Sequence, residues 1–276
     1  MRDVINEIIG FLSWFRSMIK NKKCSIPESG DERIVIVGNG PSAKLFPYEK
    51  IRNNGFKFCC VNFMGLNKDL FLRIRPEYYC IIDPLFFEND DREDDRVIQL
   101  LQAFESVEWK ITLICYKESM HNINNKNIRY AFINRNTYGG ILNKFKVFLY
   151  MNNKATPGLQ NVVVAAVYYF LITKSEVIVM TGVEMDWFRE CAVDIDNNAY
   201  ESISYCYGKS KNDLSKLRIV NKGEFYLYFY YVYLTFLSFY HIDKLAGTSD
   251  TRIYNACTDS LLDMFKKVKE DELAEL

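Results

Sequence analysis

The sequence predicts an α/β fold: a mostly parallel sheet flanked by helices. Three observations carry this. The runs "RIVIVG" (33–38) and "EVIVMTG" (176–182) are apolar without alternation, as strands buried on both faces should be. Strand-like runs alternate with helical stretches, which demands crossovers between parallel strands. Several runs end in small or polar residues, where such sheets bind ligands. These endings are Gly38 to Ser42, Asn62, Asp83-Pro84, and Gly182 to Trp187.

The elements follow in order. Residues 1–24 read as an amphipathic helix, with Ile5, Ile8, Ile9, Leu12, Phe15 and Ile19 on one stripe. Arg2, Arg16, Lys20, Lys22 and Lys23 add basic charge. With Trp14 they suit a membrane surface; packing on the body or on a second subunit is the other reading. "PESGDE" (27–32) is a linker, and the main domain spans 33–270. After "RIVIVG" a helix is expected over 43–53, then strands "FKFCCVN" (56–62) and "YYCIID" (78–83). An acidic stretch leads to a helix over 93–107, followed by strands "KITLICY" (110–116) and "IRYAFI" (128–133). A long helix from Pro157 to about Thr173 precedes "EVIVMTG". Residues 183–212 are polar and irregular. An aromatic helix (225–240), the strand "RIYNA" (252–256) and a helix from Asp259 complete the chain.

Composition sets limits. Thirty-five basic residues balance 35 acidic ones, so no nucleic-acid footprint is present. The eight cysteines include no C-x-x-C pair and several lie in strand-like runs beside Val and Ile, which reads as buried free thiols in a reducing compartment. No run reaches the roughly 18 to 20 apolar residues that span a bilayer. The start of the chain lacks the pattern of a signal peptide. A cytoplasmic protein, soluble or peripheral on the inner face of the cell membrane, is expected.

Three segments point to chemistry. Gly38-Asn39-Gly40-Pro41-Ser42 joins a strand to a helix with little side-chain volume, so its amides can approach a phosphate at a helix start. The same loop with no ligand would be a tight turn. "ATPGLQN" (155–161) offers Thr156 as a cap, Pro157 in the first turn and Gly158 for room, a second anion-ready helix start or a simply well-capped helix. In "TGVEMDWF" (181–188), Glu184 and Asp186 follow a strand ending at Gly182; carboxylates there can bind sugar hydroxyls or deprotonate an acceptor. Asp194-Ile195-Asp196 has the D-x-D form that can hold a metal, but "DIDNN" reads better as a turn. His121 and His241 have no Ser or Cys partner in sequence, so a hydrolase triad is not indicated.

Taken together, "IVIVGNGPSAK", "VNF", "YYCIIDPLFFE", "ATPGLQNVVVAAVYYFLITKSEVIVMTGVEM", "YGKSKN" and "IYNACTDSLLDMF" resemble, in order and spacing, the bacterial lipooligosaccharide sialyltransferases of glycosyltransferase family 42 and their relatives from polysaccharide gene clusters. The resemblance covers about residues 33–266. It implies a single Rossmann-like domain, a GT-A-like variant, with a lid at about 188–212. It implies inverting transfer from a CMP-activated nonulosonic acid to a glycan or glycolipid acceptor, without a metal or other cofactor. Carried over by position, Gly38, Asn39, Gly40, Ser42 and Asn62 would contact the cytidine monophosphate. Thr156, Gly158 and Gly182 would line the nucleotide, and Asp83 would stand near the reacting sugar.

The chain also departs from that pattern. The family's general-base histidine sits in a Gly-His-Ser-Lys-Asn context, where this chain has Gly208-Lys209-Ser210-Lys211-Asn212. A tyrosine that assists the leaving group in the family falls near Asp186, with Tyr205 and Tyr207 as substitutes. The catalytic candidates are therefore Asp186, Glu184, Lys209, Tyr207 and Tyr205. Two other readings stand beside this one. A pterin pyrophosphokinase-like enzyme would use ATP and magnesium, and a glycosyltransferase-fold protein could use another donor or lack activity.

Overall fold

The apolar runs become strands because both of their faces are covered. In the computed structural model, β1 (Arg33–Val37), β2 (Phe56–Val61), β3 (Tyr78–Cys80), β4 (Ile111–Tyr116), β5 (Ile128–Ile133) and β6 (Val177–Thr181) are followed by β7 (Cys191–Val193), β8 (Ala199–Ser202), β9 (Leu214–Lys216), β10 (Arg252–Asn255) and β11 (Lys266–Lys267). The structure describes residues 2–20, 30–83, 86, 94–117, 123–139, 142–202, 206, 214–216 and 220–276. Eight strands form one sheet in the order β11-β10-β6-β1-β2-β3-β4-β5, and every ladder in it is parallel. The period of two along β1 divides two cores: Ile34 and Ile36 pack on one face, Val35 and Val37 on the other. β2 and β6 divide in the same way, with Val61 and Met180 on the first face and Phe58 and Val179 on the second.

The helices are α1 (Arg2–Lys20), α2 (Tyr48–Asn53), α3 (Lys68–Ile74), α4 (Asp95–Glu105), α5 (Lys144–Met151), α6 (Val162–Ile172) and α7 (Phe225–Ala246). α6 is buried at every residue, which is why its sequence shows no amphipathic period. It lies against β1, β2 and β3, with α5 and α7 packed on it. α1 docks through Trp14, whose indole N–H donates to the Lys154 carbonyl at 3.0 Å and whose ring stacks on Tyr138. That docking turns Trp14 inward, not toward a membrane. Ile8, Leu12, Phe15 and Ile19 stay exposed on the outer face. Among the described residues, no helix is long and apolar enough to cross a membrane.

Several boundaries differ from expectation. The helix expected over 43–53 is broken: a single 3-10 turn (Pro41–Lys44) precedes α2, and Pro47 between them cannot continue a helix. The helix expected from Pro157 begins at Val162, where the Asn161 side chain accepts from the Val163 N–H at 2.7 Å. Thr156 is therefore no cap. Its own N–H donates to the Asn136 carbonyl at 2.7 Å, in a bridge between Thr137 and Thr156. No helix starts at Asp259. There Leu262 and Phe265 enter one core while Val268 and Leu273 enter the other, across the edge strand β11. A helix lying on one face could not serve both. α3 and α5 form where no helix was expected, each with an asparagine cap, Asn67 and Asn143.

The segment read as irregular holds structure. After β6 comes a 3-10 turn (Trp187–Glu190), then β7, β8 and β9 as a small antiparallel sheet. The D-x-D tripeptide sits in its hairpin turn. Asp194 accepts from the backbone N–H groups of Asn198 and Asp196 at 2.7 and 3.0 Å, and from the Tyr200 hydroxyl at 2.9 Å. The Asn198 side chain adds to these, and together they hold the Asp194 carboxyl down at about 2.

Candidate active site

Because β1 to β5 run outward on one side and β6, β10 and β11 lie on the other, the strand order reverses between β1 and β6. Ligands of such sheets bind outside the carboxyl ends of the strands at that reversal. A cleft of about 860 Å³ opens there, lined by the loops after β1, β2, β6, β10 and β11. That volume is within the range of small-molecule sites.

Close backbone contact between the first and third of these loops builds the floor. A Cβ on Gly38 would lie 2.3 Å from the Gly182 carbonyl oxygen, and one on Gly182 would lie 2.6 Å from that of Gly38. Gly182 also has φ +69°. The Gly40 N–H donates to the Gly182 carbonyl at 2.9 Å, and the Gly182 N–H donates to the Ser42 hydroxyl at 3.1 Å. In the loop after β10, burial pushes the Cys257 thiol up from its ordinary range.

Glu184 reaches into the glycine loop. Its Oε1 accepts from the Ser42 N–H at 2.7 Å. Its backbone is anchored by Leu261, whose N–H donates to the Glu184 carbonyl at 2.9 Å. Asp186, two residues on, lines the cleft, and among the described residues its carboxylate has no hydrogen-bond or ion-pair partner. Across the cleft, Asn62 has φ +43°, an uncommon conformation for a residue with a side chain. Its carbonyl accepts from the Tyr79 hydroxyl at 2.6 Å, which fixes the turn after β2. The side-chain oxygens of Asn39 and Asn62 are buried with no hydrogen-bond partner. Backbone strain of this kind often marks a functional site, and Met185 at φ +58° adds to it.

Of the residues singled out in sequence, Asn39, Gly40, Ser42, Asn62, Gly182, Glu184 and Asp186 line the cleft, with Gly38 beneath them. The others do not meet there. Thr156 is 2% exposed and bonded to the segment at Asn136 and Tyr138, and Gly158 is outside the lining. Asp83 follows β3 by three residues and is not part of the lining. Tyr205, Tyr207 and Lys209 lie outside the described residues. The lining adds residues that sequence reasoning passed over: Asn161, Arg189, Cys257, Asp259, Lys269 and Glu270. Asn161 carried a signal, an asparagine directly before an apolar helix. Arg189 and Lys269 are the cations of the described lining and have no ion pair among the described residues. Glu184, Asp186, Glu190, Asp259 and Glu270 are its carboxylates. No group of three His, Cys, Asp or Glu side chains among the described residues could hold a metal.

No protein-family model matches the chain, and no curated protein matches it. Solved structures similar to it are sialyltransferases. One is Cst-II in complex with a trisaccharide acceptor and CMP, 16% identical, covering 85% of each chain with a TM-score of 0.45. Another is CstII from Campylobacter jejuni in complex with cytidine-5'-monophosphate, 16% identical over 87% of this chain and 86% of that one, TM-score 0.42. A third is the monofunctional α-2,3-sialyltransferase Cst-I from Campylobacter jejuni, 13% identical over 91% and 84%, TM-score 0.43.

Proposed function

We propose that this chain is an inverting glycosyltransferase that transfers sialic acid, or a related nonulosonic acid, from its CMP-activated form to a surface glycan or glycolipid. One observation carries the reading. The glycine loop, Asn62 and the Gly182 to Asp186 turn, drawn from three of the motif segments that resemble the family, line one cleft at the strand reversal.

In this reading the nucleotide lies across the ends of β1, β6 and β2. Asp186 takes the proton of the acceptor hydroxyl as it attacks the anomeric carbon, because both oxygens of its carboxylate are free to accept while Oε1 of Glu184 is engaged by the Ser42 N–H. The bond from that carbon to the CMP phosphate breaks, and cations stabilise the departing phosphate. Arg189 and Lys269 line the cleft for this task. Lys209, which replaces the family's general-base histidine, shares this task through its charge, and Tyr205 and Tyr207 stand in for the family's leaving-group tyrosine, in a lid over about 188–212.

The exposed stripe of α1 at Ile8, Leu12, Phe15 and Ile19 supports a peripheral contact with the cytoplasmic face of a membrane, or with a second copy of the chain. Removing residues 1–24 should then abolish binding to anionic liposomes or change the oligomeric state. If neither changes, that part of the reading fails.

The decisive experiment is thermal stabilisation and turnover with a panel of CMP- and UDP-sugars. Stabilisation by CMP, with transfer from a CMP-nonulosonate to a glycan acceptor, is expected. Stabilisation by UDP and not CMP overturns the donor. Binding without turnover on any acceptor would identify a fold retained for binding alone.

A further inference from the structure

The loop after β1 has the backbone of an anion cradle, yet three of its N–H groups are already engaged. The N–H groups of Gly38, Gly40 and Ser42 donate to the Thr181 carbonyl, the Gly182 carbonyl and the Glu184 carboxylate. A Cβ built on Gly40 would fall 1.5 Å from Glu184 Oε2, so that carboxylate occupies the space over the glycine. A phosphate brought to this point would meet a negative charge and none of those three N–H groups.

The place also offers acceptors. Among the described residues no donor reaches Glu184 Oε2, and the side-chain oxygens of Asn39 and Asn62 are buried and unpartnered. Unpaired buried acceptors are costly and call for a ligand that donates. A phosphate dianion has no proton to give, whereas the vicinal hydroxyls of a ribose give two. The turn that aims Glu184 is fixed on both sides, by the Leu261 bond to its carbonyl and by the positive φ of Gly182 and Met185.

We propose that the Gly38–Ser42 loop with Glu184 seats the ribose hydroxyls of the nucleotide, and that Glu184 selects ribose over 2'-deoxyribose. The phosphate then lies along the cleft toward Arg189 and Lys269. The inference rests on the nucleotide reading above and makes Glu184 a specificity residue, leaving proton transfer to Asp186.

Titration calorimetry of the full chain with CMP and 2'-deoxy-CMP tests it, on wild type and on Glu184→Gln, with a thermal melt to show that the variant folds. Glutamine keeps the size and an acceptor for the Ser42 N–H. Wild type should prefer the ribonucleotide by about tenfold or more, the worth of a hydrogen bond to a charged group. In Glu184→Gln the preference should shrink to about threefold or less. An unchanged ratio overturns the proposal. So does tighter CMP binding by the variant at an unchanged ratio, which would show that the carboxylate merely fills a phosphate seat. Should wild type bind UMP and not CMP, the donor assignment fails, and the comparison of UMP with 2'-deoxy-UMP still decides the role of Glu184. Should wild type bind no nucleotide, both fall.

Discussion

Gly40→Ala isolates the contact between the glycine loop and Glu184. Gly40 has φ −72° and ψ 162°, which alanine adopts freely, so the perturbation is purely steric. The added Cβ would lie 1.5 Å from Glu184 Oε2, 2.5 Å from its Cδ and 2.8 Å from the Gly182 carbonyl oxygen. Restoring ordinary contact requires the carboxylate to retreat by about 2 Å. That breaks the 2.7 Å bond from the Ser42 N–H. Loss of a hydrogen bond to a charged group costs about 1.5–3 kcal/mol, and overpacking adds about 1–3 kcal/mol. A destabilisation of about 3 kcal/mol is expected, read as a shift of the urea midpoint at constant slope. In a Glu184→Ala background only the Gly182 contact remains, and the same change should cost about 1 kcal/mol. The double-mutant cycle should thus show a coupling of about 2 kcal/mol. An equal cost in both backgrounds, or a cost below about 0.5 kcal/mol in wild type, would refute the reasoning.

The other predictions concern separate parts of the molecule. Asn62→Ala should cost about 1 kcal/mol in urea unfolding, because alanine tolerates φ +43° less well than asparagine, while Asn62→Gly should stay within about 0.5 kcal/mol of wild type. Both should weaken nucleotide binding. Arg189→Ala and Lys269→Ala should each lower CMP affinity by about fivefold at low salt and by less at high salt, as a contact to phosphate does. Trp14→Ala should free α1, seen as cleavage by trypsin after Arg16 that is about tenfold faster while the sheet stays folded. Burial holds the His241 imidazole below its ordinary value of 6.5; the Pro157 carbonyl opposes this and Lys146 adds to it. The unfolded chain therefore binds a proton more readily at this residue. The contribution of His241 to stability is complete above pH 6.5 and is lost as pH falls through the lower folded value. Chemical denaturation at pH 7.5 and 5 should show the loss, and His241→Gln should reduce it.

The strands were legible because burial on both faces writes an unbroken apolar run, as in Val35 to Val37 and Val177 to Met180. The cleft was legible at the same places, since the runs end in Gly38, Asn62 and Gly182. Helix starts were less so. Thr156-Pro157 satisfies the local rules for a cap, but its backbone is claimed by Asn136, a partner that sequence does not reveal. The stretch after Asp259 fails for a related reason, because its apolar residues divide between two cores. Least legible was the bond between Ser42 and Glu184. It depends on β1 lying beside β6, and nothing local in either segment states that adjacency.

That adjacency also sets a schedule. Val37 pairs with Thr181 in register, about 140 residues further along the chain. A ribosome adding about 5–20 residues per second needs roughly 7 to 30 s to cover that distance. Through that interval one edge of β1, apolar along Val35 to Val37, has no partner strand, which is the condition under which nascent sheets aggregate. The cleft comes into being only when β6 arrives. Until then the newborn chain can hold no nucleotide, and a ligand added during synthesis can protect only the finished protein.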